Sequence, residues 1–327
     1  MKTTILKANR QTITKAAQIL KNKGIVAFPT ETVYGLGAYA FNHSAVKKVF
    51  AAKGRPADDP LIVHVASIAD AEKVVKKIPP IARKLMKKYW PGPLTLVLPK
   101  SKKVPSVVTA GLDTVAVRMP ANPIALALCK AAGPIAAPSA NSFGRPSPTR
   151  AIHVYNDLKD KIPLIIDGGR TKIGIESTIV SLAGKPKLLR PGKITLEQLR
   201  TYLPDIDVVT NTAKKPIAPG MKYRHYSPKT PVWLVLKPTA ERIANLVEKE
   251  QKKGRKTGLI CLGRYHANAE RVIIIGKTPE AVAKRLFDAL RWLDTQKLDV
   301  IIVEGMPEKG FGHAVMNRLK RAASKVL

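Results

Sequence analysis

Six short segments of this 327-residue chain place polar side chains among Gly, Pro and apolar runs, where they are costly unless they have work to do. In Phe28–Ala38 (FPTETVYGLGA), Thr30 and Thr32 flank Glu31, and Gly35 and Gly37 let a ligand approach the backbone closely. The same residues would also serve as a β-turn with capping hydroxyls. In KGRPADDPLIVHV, Lys53 and Arg55 flank a glycine just before a proline. Cations on so constrained a loop suit phosphate oxygens, Arg as a fork and Lys as a point charge. His64 follows inside a strand, either as a satisfied core histidine or as a ligand contact. Arg118 ends the apolar run DTVAVRMP and must be paired or face a cavity, where it suits a carboxylate. Ser139, Asn141 and Ser147 lie in APSANSFGRPSPT, a rigid Pro- and Gly-bounded loop. Ser177 and Thr178 follow Glu176 into a strand, and Arg190 ends another in LLRPGKIT. Constrained arginines among hydroxyl-rich turns describe a large polar pocket for an anion and a nucleotide.

The elements that must hold these segments are legible from period and punctuation. GIVAFP, LIVHV, LTLVLP, TVAVRMP, GPIAAP, PLIIDGG and STIVSL read as strands, with KAAQILKN, SAVKKVFAAK, PIARKLMKKYW and PIALALCKAAG as helices between some of them. Strands and helices do not alternate strictly, so the expected class is α/β with a twisted mixed parallel/antiparallel sheet over residues 1–204. PGKITLEQLRTYL reads as a turn and a helix, and WPGPLTLVL as structural, with Trp90 in the core. Residues 205–231 hold four prolines without periodicity and read as a long linker. From 232 to 327, apolar strands alternate with amphipathic helices, the pattern of a small Rossmann-like parallel α/β domain.

Composition narrows the field. The chain is 45% hydrophobic and has a net charge of +34, of which 33 basic and 13 acidic side chains lie in residues 1–210. A field spread over both halves favours polyanionic ligands such as nucleotides or RNA, although many lysines are solvated helix faces. Cys129 and Cys261 supply neither a disulfide framework nor metal-ligand spacing. No signal peptide and no membrane-length apolar run is visible, so a cytoplasmic location is expected. The nearest approach to a phosphate loop, GLICLGRY, has Arg264 and Tyr265 where Lys and Ser/Thr belong. A dinucleotide fingerprint, a nucleophile elbow and HExxH are missing. A nucleotide site here must be assembled from separated segments.

Together these strings resemble the YrdC-type threonylcarbamoyl-AMP synthase family in its longer, two-domain form. The matching segments are FPTETVYGLGA, KGRPADDPLIVHV, WPGPLTLVL, GLDTVAVRMP, PIAAPSANSFGRPSPT, IIDGG, GIESTIV and LLRPG, with APGMKYRHYSP and GFGHAVMNRLKRAAS further on. Asp59 departs from the Asn usual in that loop and changes the local charge. The resemblance implies a nucleotidyltransferase that condenses L-threonine, bicarbonate and ATP into threonylcarbamoyl-AMP and pyrophosphate within a basic cavity. The product would pass to a tRNA threonylcarbamoyl-transfer complex. Lys53 and Arg55 would be catalytic and, with Arg190, hold the triphosphate; Thr114, Ser139, Asn141 and Ser147 would complete the ATP site. Thr32, His64, Arg118 and Ser177 would bind threonine, with Arg118 on its carboxylate. Mg²⁺ would enter on the phosphates without a protein cage.

Within the linker, Tyr223, Arg224, His225 and Tyr226 are suited to a lid that keeps water from a labile carbamoyl intermediate, or to packing on a domain surface. A competing reading is a non-catalytic protein that binds tRNA or double-stranded RNA. The charge favours it, but aromatic residues, which would stack on bases, make up only 5% of the chain. A carbamoyltransferase-like module of a hydrogenase-maturation enzyme would need zinc-finger cysteines that are not here.

Overall fold

A computed structural model describes residues 2–209, 225–263 and 267–327. The chain forms two compact units, the first of residues 1–143, 147–172 and 176–223, the second of 144–146, 173–175 and 224–327.

The strands of the first unit are β1 (Thr4–Lys7), β2 (Val26–Pro29), β3 (Tyr34–Tyr39), β4 (Ile62–His64), β5 (Leu94–Pro99), β6 (Thr114–Arg118), β7 (Ile135–Ala137), β8 (Leu164–Asp167), β9 (Thr178–Ser181), β10 (Lys187–Arg190) and β11 (Asp207–Val208). They stand side by side in the order β1-β8-β2-β3-β7-β4-β6-β5-β9-β10-β11. β4 runs parallel to β6 and β5 to β9, whereas β7 is antiparallel to both β3 and β4. The mixed sheet expected from the sequence is therefore present.

Apolar runs without polar alternation form strands that need cover on both faces. β2 is buried throughout. Its side chains divide by the pleat: Ala27 joins one core with Leu36, Val63 and Val117, while Val26 and Phe28 join another with Leu20, Leu128 and Ile166. The helices Arg10–Lys21 and Pro123–Ala132 cover that second face, and asparagines cap both: Asn9 accepts from Thr12 N, Asn122 from Ile124 N. Trp90 is buried and donates its indole N–H to Leu94 O at 2.7 Å.

The helix His43–Lys53 starts on an Asn42 cap and stops at Gly54, whose φ of 62° turns the chain sharply. That stop leaves Lys53 on the last helical turn and Arg55 just past it. The short helix Leu196–Arg200 begins with a capping box between Thr195 and Gln198. The segment expected to open the linker instead lays Asp207–Val208 along β10 as a parallel strand. Residues 210–224 of that segment lie outside the described residues.

The second unit contains β12 (Val232–Val235), β13 (Thr257–Cys261), β14 (Arg271–Ile274), β15 (Val300–Glu304) and β16 (Lys325–Val326), in the order β14-β13-β15-β12-β16 with parallel neighbours throughout. Helices Ala240–Gln251, Pro279–Leu293 and Phe311–Ala322 connect them. Gly305 follows β15 where a Cβ would meet Val235 O at 2.6 Å, so only glycine allows that approach. Among the described residues no helix is long and apolar enough to cross a membrane.

Candidate active site

The first unit brings most of the candidate residues into one hydrogen-bonded ring. It begins where β4 and β6 lie side by side, with His64 registered opposite Arg118. Arg118 is 3% exposed. Its Nε donates to Gly92 O at 3.2 Å and its Nη1 to Thr32 Oγ1 at 3.0 Å, while Nη2 lies 2.5 Å from Glu31 Oε1. Thr30 builds the turn that presents Glu31 and Thr32: its hydroxyl donates to Val33 O at 2.6 Å and accepts from Thr32 N. Thr30 is thus structural, as the β-turn alternative had it, while Thr32 points at Arg118.

His64 is fully enclosed, with the ring of Phe28 edge-on at 6.0 Å. Burial, and secondarily the positive charge of Arg118, pushes its pKa down to about 3, so the imidazole is neutral at physiological pH. Its Nδ1 has no hydrogen-bond partner.

Beyond Thr32 the ring passes through Tyr34. The Tyr34 carbonyl accepts from Ala140 N and its N–H donates to Pro148 O, which ties down the loops that carry Ser139, Asn141 and Ser147. The phenol donates to Gly169 O at 2.7 Å and accepts from Gly168 N, and burial raises its pKa well out of the physiological range. Lys53 reaches the same loop. Its Nζ donates to Ser139 O at 2.5 Å and to Asn141 O, so backbone carbonyls stand in for the water that burial removes. Ser139 Oγ donates to Asn141 Oδ1 at 2.5 Å.

Ser147 donates to Glu176, the residue before Ser177. Ser177 is completely buried, shares a 2.7 Å hydrogen bond with Thr95 Oγ1, and accepts from Arg190 Nη2 at 3.1 Å. Arg190 Nε also donates to Ser177 O at 3.0 Å. Gly192 makes this approach possible, because a Cβ there would lie 2.4 Å from Thr178 N. The ring closes through the loop after Trp90: Thr178 N donates to Pro93 O, and Gly92 O is the acceptor for Arg118.

Two candidates stand apart. Arg55 folds back on its own loop, with Nη2 2.8 Å from the buried carboxylate of Asp59 and Nε and Nη2 on Asp59 O. The Asp at 59 thus places a negative charge directly on this arginine. Thr114 opens β6 at the end opposite Arg118, about 13 Å away along the strand.

Of the expected lid, Tyr223 and Arg224 lie outside the described residues. His225 and Tyr226 belong to the second unit, where Tyr226 stacks on Phe287 at 5.2 Å with Arg318 5.8 Å from its ring centre. Tyr226 thus packs within the second unit.

Glu31, Tyr34, Thr95 and Glu176 complete the ring without having been assigned to it from sequence. Glu31 had one signal: it is a carboxylate between two threonines and apolar neighbours in a chain of net charge +34. Among the described residues, no group of three or more His, Cys, Asp or Glu is placed to hold a metal ion.

The chain matches the Sua5/YciO/YrdC family model, described as "Telomere recombination", over residues 18–192, and the threonylcarbamoyl-AMP synthase C-terminal domain over 194–324. It is 51% identical over 320 residues to a threonylcarbamoyl-AMP synthase of Pyrococcus abyssi, covering 94% of this chain and 93% of the relative. Against the Bacillus subtilis synthase it is 49% identical over 328 residues, 97% and 94% of the two chains. The crystal structure of P. abyssi Sua5 complexed with L-threonine superposes with a TM-score of 0.96 at 48% identity, covering 99% of each chain. Escherichia coli YciO shares the fold of the first unit at TM-score 0.52 and 22% identity, covering 57% of this chain and 95% of that one. With both family models matched in order along nearly its whole length, the chain belongs to the Sua5/YciO/YrdC family in its two-domain form.

Proposed function

We propose that the chain is a threonylcarbamoyl-AMP synthase, joining L-threonine, bicarbonate and MgATP into L-threonylcarbamoyl-AMP, pyrophosphate and water. The observation that carries this reading is the grouping of Arg118, Thr32 and neutral His64 beside the Ser177–Arg190 pair on one sheet. A fork for a carboxylate and uncharged acceptors for a hydroxyl fit a small hydroxy amino acid. The likeness to a relative crystallised with L-threonine supports the same assignment.

Two steps are needed. The threonine amine, once neutral, attacks bicarbonate and expels water to give a carbamate. The carbamate oxygen then attacks the α-phosphorus of ATP, and pyrophosphate leaves. Negative charge gathers on phosphate oxygens in that step, so cations fixed beforehand lower the barrier most. Lys53 and Arg190 are so fixed, each by hydrogen bonds to backbone carbonyls. Arg55 would join them by turning part of its guanidinium from Asp59. Ser139, Asn141 and Ser147 would contact the nucleotide from the loop that Tyr34 ties down. Mg²⁺ arrives as part of the nucleotide substrate, bound by phosphate oxygens and water. The mixed anhydride made is an activated acyl donor, and a tRNA-modifying transferase would consume it; direct tRNA contact is not required of this chain.

The test is pyrophosphate release by the purified protein with MgATP and bicarbonate, with and without L-threonine and without RNA. Release that depends on threonine and disappears in Arg118→Ala supports the synthase. Threonine-independent release, or none despite ATP binding, overturns it in favour of the RNA-binding reading.

A further inference from the structure

Glu31 has no role in the assignments above, yet it is one of the most expensive side chains in the first unit. It is 5% exposed, and both carboxylate oxygens are enclosed without a hydrogen-bond partner. Its contact is the 2.5 Å approach of Oε1 to Arg118 Nη2, an atom that likewise makes no aligned hydrogen bond. The two charges therefore touch while the facing donor and acceptors keep unspent valence. A buried pair left in that state is costly, and a pair kept only for stability would be expected to satisfy its remaining lone pairs and protons. The Thr30-centred turn aims Glu31 and Thr32 at the same guanidinium, so the arrangement is built rather than incidental.

Side by side, a fixed cation and a fixed anion form the electrostatic complement of an α-amino acid zwitterion. Resting on the threonine reading, we infer that Glu31 receives the α-ammonium of the amino acid while Arg118 holds its carboxylate, and that Glu31 then takes the proton that must leave the amine. The accounting is complete. One proton passes from the ammonium to the Glu31 carboxylate, the freed nitrogen lone pair forms the C–N bond to bicarbonate, and a second N–H proton goes to the bicarbonate hydroxyl as its C–O bond breaks, releasing water. The products are the carbamate anion and protonated Glu31, which returns its proton to water before the next turnover. His64, held neutral by its burial, is a poor competitor for this step because the adjacent guanidinium disfavours its protonated form.

Glu31→Gln keeps size and an acceptor oxygen for Arg118 but removes the charge and the base; Glu31→Asp keeps the charge. The experiment measures binding of L-threonine and of (R)-3-hydroxybutyrate, its analogue without the amine, to wild type and both variants, with ATP binding and thermal unfolding as folding controls. Wild type should prefer threonine, and in Glu31→Gln that preference should shrink about tenfold to a hundredfold, the worth of a charge-assisted hydrogen bond. Glu31→Asp should keep the preference in part. Turnover at saturating threonine should fall in Glu31→Gln beyond the loss in binding. An undiminished preference in Glu31→Gln, equal losses in Gln and Asp, or wild-type turnover at saturation would each overturn the inference. Failure of wild type to bind threonine would instead refute the substrate reading on which it rests. Should Glu31→Gln not fold, the comparison of Glu31→Asp with wild type carries the test: an unchanged preference and turnover with the shorter carboxylate would overturn it.

Discussion

Arg118→Lys keeps the positive charge of the proposed carboxylate site and removes its shape. In the native structure the guanidinium serves Gly92 O at 3.2 Å, Thr32 Oγ1 at 3.0 Å and Glu31 at 2.5 Å, from three different nitrogens. A single ammonium can keep the ion pair with Glu31 but cannot span the other two directions. Each lost bond has an ionised donor and is worth about 1.5–3 kcal/mol, so the free protein should lose about 3–6 kcal/mol of unfolding free energy. Against bound threonine the loss is of a different kind. A fork presents two parallel N–H groups to a carboxylate and an ammonium only one, so one charge-assisted bond of about 1.5–3 kcal/mol disappears. Threonine affinity should therefore fall about tenfold to 150-fold, while ATP affinity changes little. Calorimetric titration of each ligand, with urea unfolding monitored in parallel, reads all three quantities. Unchanged threonine affinity, or equal weakening of both ligands, would refute the assignment of Arg118 to the carboxylate.

Two further outcomes follow from the same geometry. His64 has a pKa near 3 in the folded protein against about 6.5 unfolded, so between these values the unfolded chain binds more protons. Its contribution to stability is fully present above about pH 6.5 and is lost as pH falls towards 3. Urea midpoints at pH 4.5 and 7 should differ less in His64→Gln than in wild type, and an equal difference would show that the imidazole is not held neutral. Gly192→Ala places a methyl group 2.4 Å from Thr178 N and 2.8 Å from Ser177 C. Overpacking of this kind costs about 1–3 kcal/mol and should separate Arg190 from Ser177, weakening both ATP and threonine binding. A variant with wild-type midpoint and affinities would remove the Arg190–Ser177 contact from the account.

What was legible in the sequence follows the cost of misplacing each residue. A charge that ends an apolar run has few acceptable environments, which is why Arg118 and Arg190 could be singled out, as Lys53 could from its Gly- and Pro-constrained loop, and the structure buries all three. Uninterrupted apolar runs likewise announced the parallel sheet of the second unit. Glu31 was opaque because threonines on both sides also spell a turn, and the turn is real; its ion pair with a residue 87 positions away leaves no local trace. The strand Asp207–Val208 was missed because two residues are too few to show a period. RVIIIGKT is one of the apolar runs of the second unit, yet β14 is an edge strand with Val272 and Ile274 exposed, a placement that sheet order decides and composition does not. The aromatics of KYRHYSP showed only that they needed a partner. For Tyr226 that partner is Phe287, distant in sequence.

In the proposed reaction bicarbonate carbon is joined to threonine nitrogen, and the carbamate oxygen then to the α-phosphorus. It is tested most directly by supplying ¹³C-bicarbonate with MgATP and L-threonine and following the adenylate product by ¹³C and ³¹P NMR. One labelled carbamoyl carbon coupled to the AMP phosphorus should form in step with pyrophosphate and be lost in Arg118→Ala. An unlabelled adenylate, with threonine joined to AMP through its own carboxylate, would contradict it.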